Sequence, residues 1–214
     1  MPRDLPVGNG SLLINFDSTG QVRDIFWPHA GQENHTSGKV CRLGVWVDNR
    51  FSWLNEDHWQ RKLHYSKDSL ATNSTLENKE LQMRLLLRGV VDFHENLLVR
   101  QITVENLADQ EREIRVFFCH DLSISGTTVG DSAYFDPETG SQFHYKGKRW
   151  FMISLFRGNP GNKYTPDGSL ASSWHAWYSN EPLSVSPLTW SHATHVDTLL
   201  KYHKKDMELV GDNH

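Results

Sequence analysis

Residues 81–87 read Leu81-Gln82-Met83-Arg84-Leu85-Leu86-Leu87, and every odd position is apolar. A period of two is the signature of a half-buried strand, because successive side chains leave a strand on opposite faces. The same period recurs further along. In Leu98-Val99-Arg100-Gln101-Ile102-Thr103-Val104, Leu98, Ile102 and Val104 share a face. In residues 114–122 the even set Ile114, Val116, Phe118 and Leu122 faces inward, with His120 among them. Strands apolar on one side and polar on the other belong to antiparallel sheets. Asn106-Leu107-Ala108-Asp109-Gln110, between two of these runs, reads as a hairpin turn.

Outward from these runs, alternation predicts further strands at 11–16, 21–27, 41–48, 59–65, 132–135, 142–146 and 149–156. Turn chemistry separates them: Ser18-Thr19-Gly20, Asp48-Asn49-Arg50, Pro137-Glu138-Thr139-Gly140 and Lys146-Gly147-Lys148. Many short strands with regular turns make an all-β sandwich. From about residue 157 the pattern breaks into the loop segments 158–162 and 166–168. The stretch 169–190, with Trp174, Trp177, Tyr178 and Trp190, is expected to pack back on the sandwich as irregular structure or edge strands. The tail changes period. Val196, Leu199, Leu200, His203 and Met207 fit one helical face, with Thr194 or Asp197 as N-cap. The expected organisation is a sandwich domain over 1–195 and a helical connector over 196–214.

A chain of 214 residues can bury a core without staples. Its 22 basic and 26 acidic residues leave a net charge of −4, which argues against nucleic acid or an anionic membrane surface as partner. Cys41 and Cys119 are the only cysteines and read as thiols rather than a disulfide framework. No apolar run is long enough to span a membrane. The first residues carry no apolar leader, so the expected location is cytoplasmic. On that reading the glycosylation triplets at Asn34 and Asn73 are chance matches.

Chemistry concentrates between residues 27 and 35. Trp27, His29, Gln32, Glu33, Asn34 and His35 place an indole, two imidazoles, a carboxylate and two amides in nine residues. Such groups can converge on sugar hydroxyls or hold a neighbouring domain, and they can equally satisfy the loop's own backbone. His29, Glu33 and His35 could also be set out as three metal ligands, but Pro28 and Gly31 break any helical spacing, so no metal is assigned. Glu56, Asp57, Asp131, Asp136 and Glu138 are carboxylates that a glycosidase pair would need, yet acidic residues near turns are ordinarily just solvated. There is no G-x-S-x-G, no phosphate-binding loop and no motif calling for a cofactor. Eight tryptophans are many for this length. Each reads first as core filler and second as a ring on which a sugar could stack.

Several stretches together resemble one family. They are Leu5-Pro6-Val7-Gly8-Asn9-Gly10-Ser11-Leu12-Leu13-Ile14-Asn15-Phe16-Asp17, running on to Arg23-Asp24-Ile25-Phe26-Trp27-Pro28-His29-Ala30-Gly31-Gln32-Glu33-Asn34-His35. Gly44-Val45-Trp46, Phe51-Ser52-Trp53-Leu54 and Trp59 follow, then Asn106-Leu107-Ala108, residues 115–121, residues 130–137 and His144-Tyr145-Lys146-Gly147. As a set, over residues 5–156, they resemble the start of the bacterial and archaeal branch of glycoside hydrolase family 15, which holds glucoamylases, glucodextranases and trehalases. The resemblance implies a galactose-mutarotase-like super β-sandwich, a helical linker, and then an (α/α)6 barrel that carries both catalytic carboxylates. This chain has no room for such a barrel, so no catalytic residue is carried over. Beyond residue 170 the likeness thins. The acidic run of the relatives is replaced by Ala176-Trp177-Tyr178-Ser179-Asn180.

The implied function is that of a non-catalytic N-terminal domain of a glycoside hydrolase acting on α-glucosides. It would dock and support the barrel of its parent protein and be inactive alone. A docking face left bare would favour a homodimer. Two alternatives stand beside it. A stand-alone carbohydrate-binding module would need at least two tryptophan rings on one open face. An aldose-epimerase-like enzyme would need a histidine acid, such as His120 or His144, beside a carboxylate base.

Overall fold

The computed structural model describes residues 4–157 and 169–178. The expected connector helix at 196–214, the loops at 158–168 and Trp190 lie outside the described residues. Fourteen strands are described: β1 Leu5–Gly8, β2 Leu13–Phe16, β3 Val22–Phe26, β4 Arg42–Val47, β5 Arg50–Trp53, β6 Gln60–Tyr65 and β7 Thr72–Asn78. They continue with β8 Met83–Val91, β9 Leu97–Asn106, β10 Ile114–Cys119, β11 Ser132–Asp136, β12 Ser141–Lys146, β13 Arg149–Arg157 and β14 Ser169–Tyr178. Every pairing between these strands is antiparallel.

The strands form one large sheet, β11-β12-β13-β14-β9-β8-β7-β6, and two small ones, β1-β2-β3 and β10-β4-β5. The small sheets lie on one face of the large sheet. Leu5, Val7, Ile14, Phe16, Val22 and Ile25 pack against Val91, Leu98, Phe151 and Ile153. Leu43, Val45 and Val47 of β4 pack against Leu76, Met83, Leu85, Leu87 and Ile102. The Val22–Cys41 bridge joins the two small sheets into one layer. The result is a two-layer all-β fold whose core is the alternate face of each strand. Leu81, Met83, Leu85 and Leu87 are all buried, as their period requires. Phe143, Trp150 and Met152 form a third cluster from positions alternate to Phe151 and Ile153 along the large sheet.

Two expectations are corrected. Residues 106–110 do not close a hairpin, because β9 pairs with β8 and β14 whereas β10 pairs with β4. The segment carries the chain from one layer to the other. Arg112 fixes the crossing: its guanidinium donates to the Asn106 side chain (2.8 Å), to Asp48 (2.8 Å) and to the carbonyls of Leu81 and Gln82 (both 2.6 Å). Local turn chemistry cannot reveal which sheet receives the next strand. The segment 169–178 is neither irregular nor an edge. Strand β14 lies between β13 and β9, in register with both. Its small residues hide an interior strand, whose place is set by backbone pairing on both sides.

Arg100 interrupts the apolar face of β9 and is buried. Its guanidinium donates to the Gly20 carbonyl and lies 5.2 Å from the Phe16 ring centre. Burial lowers its pKa to about 10. It therefore ties the β2–β3 turn to the large sheet through a charge held between the layers. Cys41 and Cys119 are free thiols, and burial pushes Cys41 up to about 12.

Candidate functional site

The β3–β4 connection is where the sequence concentrates its polar groups, and it is tightly built. A Phe26–Asn34 bridge closes residues 27–33 into a protruding loop, with the Trp27 amide donating to the Glu33 carbonyl (3.2 Å). The Trp27–Pro28 peptide is cis. Trp27 itself is core. Its ring meets Phe151 edge-on, centres 6.0 Å apart.

His35 is fully buried and holds two loops together. Its Nδ1 accepts from the Ser125 amide (3.0 Å), so its Nε2 carries the proton and donates to the Trp27 carbonyl (2.7 Å). Its own carbonyl accepts from the Ser123 amide (2.7 Å), and its ring lies 4.8 Å from Phe151. Desolvation lowers its pKa, consistent with a neutral ring whose two nitrogens are both engaged.

Asn34 and Glu33 are spent in the same way. The Asn34 amide donates to Asp24 (2.8 Å), while its oxygen accepts from the Thr36 amide (3.0 Å) and hydroxyl (2.9 Å). Asp24 also accepts from Asn15 (3.0 Å) and Arg23 (2.8 Å). Burial raises the Asp24 carboxyl, but these three donors outweigh it and hold the group below the ordinary carboxylate range. Glu33 makes a two-pronged pair with Arg149 of β13 (2.8 and 2.7 Å), which lowers its pKa.

His29 and Gln32 remain exposed at the tip. The structure thus brings all six residues into one loop, but turns Trp27, Glu33, Asn34 and His35 inward onto protein partners. That geometry leaves His29, Glu33 and His35 unfit as a shared metal site, and no cluster of three His, Cys, Asp or Glu is placed for a metal among the described residues.

Neighbouring loops share this end of the sandwich. The Asn9 amide donates to the carbonyls of Asp92 and Glu95 (2.8 Å each), and the Ala30 amide reaches Gly10 (3.5 Å). Lys146 donates to the carbonyls of Ile124 (2.9 Å) and Thr127 (2.7 Å). Two apolar side chains stand out from these tied loops: Phe93, 79% exposed, and Val129, 82% exposed.

The other nominated groups are placed as follows. Asp131 accepts from the Ile124 amide (3.1 Å), Asp136 from Thr139 (2.6 Å), and Glu56 from Ser52 (2.7 Å). Each is engaged by its own turn. His120 and His144 do meet, ring centres 6.2 Å apart, and His120 Nδ1 contacts Gln142 (3.1 Å). Burial lowers both, His120 to about 4, so near neutral pH they are imidazoles without the proton an acid catalyst gives.

Sequence reasoning missed a second region. On the outer side of the β10-β4-β5 sheet, paired positions bring Trp46, Phe51, Trp53 and Phe117 onto one face with Arg42 and Arg115. Phe51 meets Trp53 (4.7 Å) and Phe117 (5.5 Å) edge-on. Arg42 lies over Trp53 at 4.6 Å and Arg115 over Trp46 at 4.7 Å. The available signal was that Trp46 alternates with the buried Val45 and Val47, which puts an indole on the solvent side.

No family model matches the chain. It is 27% identical over 147 residues to an uncharacterized glycosyl hydrolase of Methanocaldococcus jannaschii, a match that covers 69% of this chain and 23% of that protein. In fold it is similar to a bacterial glucoamylase solved in complex with acarbose, with a TM-score of 0.66 and 12% identity, over 92% of this chain and 34% of the glucoamylase chain. The chain therefore spans about a quarter to a third of the proteins it matches. No helix among the described residues is long and apolar enough to cross a membrane. The glycoside-hydrolase resemblance read from residues 5–156 accordingly holds in sequence, towards a glycosyl hydrolase, and in fold, towards one portion of a glucoamylase.

Proposed function

We infer that this chain is the non-catalytic N-terminal domain of a glycoside hydrolase acting on α-glucosides, a galactose-mutarotase-like super-sandwich that docks and stiffens an (α/α)6 barrel of its parent protein. The observation that carries the reading is the partial match: nearly the whole chain aligns with about a third of a glucoamylase. The geometry supports it. Of the carboxylates nominated from sequence, Glu56, Asp131 and Asp136 are engaged in their own turns, and the histidine pair is desolvated. The 27–35 loop, clamped by Arg149 and His35, presents His29 and Gln32, and the neighbouring loops add Phe93 and Val129, giving a preformed, partly apolar end suited to another domain. Preformed loops dock with little ordering entropy.

The test combines two measurements on the purified chain. Calorimetry with maltose, isomaltose and trehalose, with glucose release followed in the same cell, should give no turnover. Mixing with the barrel of its parent protein should give a complex that Phe93→Asp with Val129→Asp weakens by at least about tenfold. Hydrolysis by the pure chain would sink the reading. So would a barrel that associates equally well with the double variant.

A further inference from the structure

We propose that the outer face of the β10-β4-β5 sheet is a binding platform for short α-linked gluco-oligosaccharides, separate from the loop end that meets the barrel. The glucoside class rests on the function proposed above; the platform itself rests on geometry.

Solvent-facing positions of a strand are normally polar. Here they are Arg42, Gly44 and Trp46 on β4, Phe51 and Trp53 on β5, and Arg115 and Phe117 on β10. Phe51 and Phe117 keep 44% and 42% of their surface in contact with water. The core does not account for them, because the buried positions of the same strands, Leu43, Val45 and Val47, fill it from the other side.

Gly44 makes the platform possible. A Cβ there would sit 2.5 Å from the Phe51 Cζ and 2.8 Å from the Trp53 Cε3, so the rings rest directly over the β4 backbone. Two of the four aromatic rings, Phe51 and Trp53, therefore lie over a floor without a side chain. The guanidinium groups of Arg42 and Arg115 lie over the Trp53 and Trp46 rings, at 4.6 and 4.7 Å, and bring N–H donors onto the same face as the exposed Phe51 and Phe117 rings. An apolar ring with an adjacent hydrogen-bond donor is what a pyranose requires, since it presents C–H faces and hydroxyl edges together.

Size favours a small ligand. Three strands of at most six residues make a face of about 14 by 20 Å, roughly 280 Å². A stable protein interface needs about 800 Å² from each partner. By itself the face falls short of a stable protein interface, and it matches a ligand of a few sugar rings.

The experiment titrates the full chain with maltotriose, and separately with cellotriose, following the indole N–H signals of each tryptophan by NMR. The expected result is that maltotriose shifts Trp46 and Trp53 and leaves the buried Trp27 and Trp59 unmoved, with cellotriose at least tenfold weaker. Trp53→Ala should weaken binding by up to about tenfold. Should that variant unfold, Arg115→Ala serves in its place, because Arg115 is exposed and bound to Glu113 alone among charged groups in the described contacts. It should weaken binding several-fold while leaving the melting curve unchanged.

Absence of shifts on Trp46 and Trp53 overturns the platform and leaves the barrel-supporting role standing. Cellotriose binding as tightly as maltotriose overturns the α-glucoside class of the platform and leaves the barrel-supporting role to its own test. Concentration-dependent dimers that Arg115→Ala abolishes overturn the size argument and make the face an interface between copies.

Discussion

The 27–35 loop and the outer face of the β10-β4-β5 sheet invert what their sequences suggest. The loop is dense in hydrogen-bonding side chains, yet His35, Asn34 and Glu33 are consumed by Trp27, Asp24, Ser125 and Arg149. The sheet face is written in aromatic residues that read as core, yet Phe51 and Phe117 meet water. A long connection must satisfy its own backbone, so its polar groups are used up in holding it. A two-layer sheet can bury only one side of each strand, so an aromatic residue on the other side has no core to enter. Polar density therefore marks rigidity in one region, and aromatic density marks an open surface in the other.

The largest effect that could break this comparison is expected at His35. Replacing it by Ala removes the acceptor of the Ser125 amide and the donor to the Trp27 carbonyl, and opens a hole beside Phe151. Two stranded buried groups and a cavity should cost about 4 kcal/mol in a urea titration. His29→Ala, in the same loop but exposed, should stay within about 0.5 kcal/mol. Equal effects at the two positions would mean that the loop is not built around His35.

Acid should come next, through the buried imidazoles. His35, His120 and His144 all have lowered pKa values because burial disfavours the charged ring. In the unfolded chain they titrate near 6.5. Below that pH the unfolded state takes up protons that the folded state refuses. The stabilisation is therefore complete above about 6.5 and is lost as pH falls towards the folded values, about 4 for His120. His120 alone should account for up to about 3 kcal/mol by pH 4. Urea midpoints between pH 7.5 and 4.5 test this window, which lies mostly above the carboxylates. A flat profile there would mean that the rings reach solvent when folded.

Gly44→Ala probes the other region. The new Cβ collides with Phe51 and Trp53. Phe51 can swing into solvent, so the cost should be moderate, about 2 kcal/mol. The same variant should change the near-ultraviolet circular dichroism of the indoles. A silent Ala would show that the rings do not rest on the β4 backbone.

How much of this was legible follows from where burial and polarity agree. The strands around residues 83–91, 97–106 and 114–119 alternate strongly, and their inward sets are those the period names. Strand β7 escaped because its inward positions are Thr72, Ser74, Leu76 and Asn78, a buried face made mostly of polar residues. Asn78 illustrates the reason: its side chain accepts from the Leu81 amide and builds the next turn. Strand β14 and the crossing at 106–112 escaped because sheet order depends on pairings between residues far apart in sequence. In the loop, residue types were legible but partners were not. Arg149 lies 116 positions from Glu33, and Ser125 lies 90 from His35.

Among the loop's engaged groups, the smallest effect is expected where it meets solvent, at the Glu33–Arg149 pair. Both side chains are partly exposed, so screening limits its worth, while its two-pronged geometry keeps it above an ordinary surface pair. Glu33→Gln should cost about 1 kcal/mol in low salt and less at high ionic strength. Its pH signature is distinct from that of the imidazoles. The Glu33 pKa is lowered, so its contribution is present above the ordinary carboxylate pKa and vanishes only as pH falls through its folded value. Subtracting the variant's pH profile from that of the parent chain should therefore give no difference in slope between pH 6.5 and 5, and a difference below that. A slope difference near pH 6 would instead place the pair in charge of His35, and would make the whole loop one coupled titrating unit rather than a rigid clasp with a salt-sensitive rim.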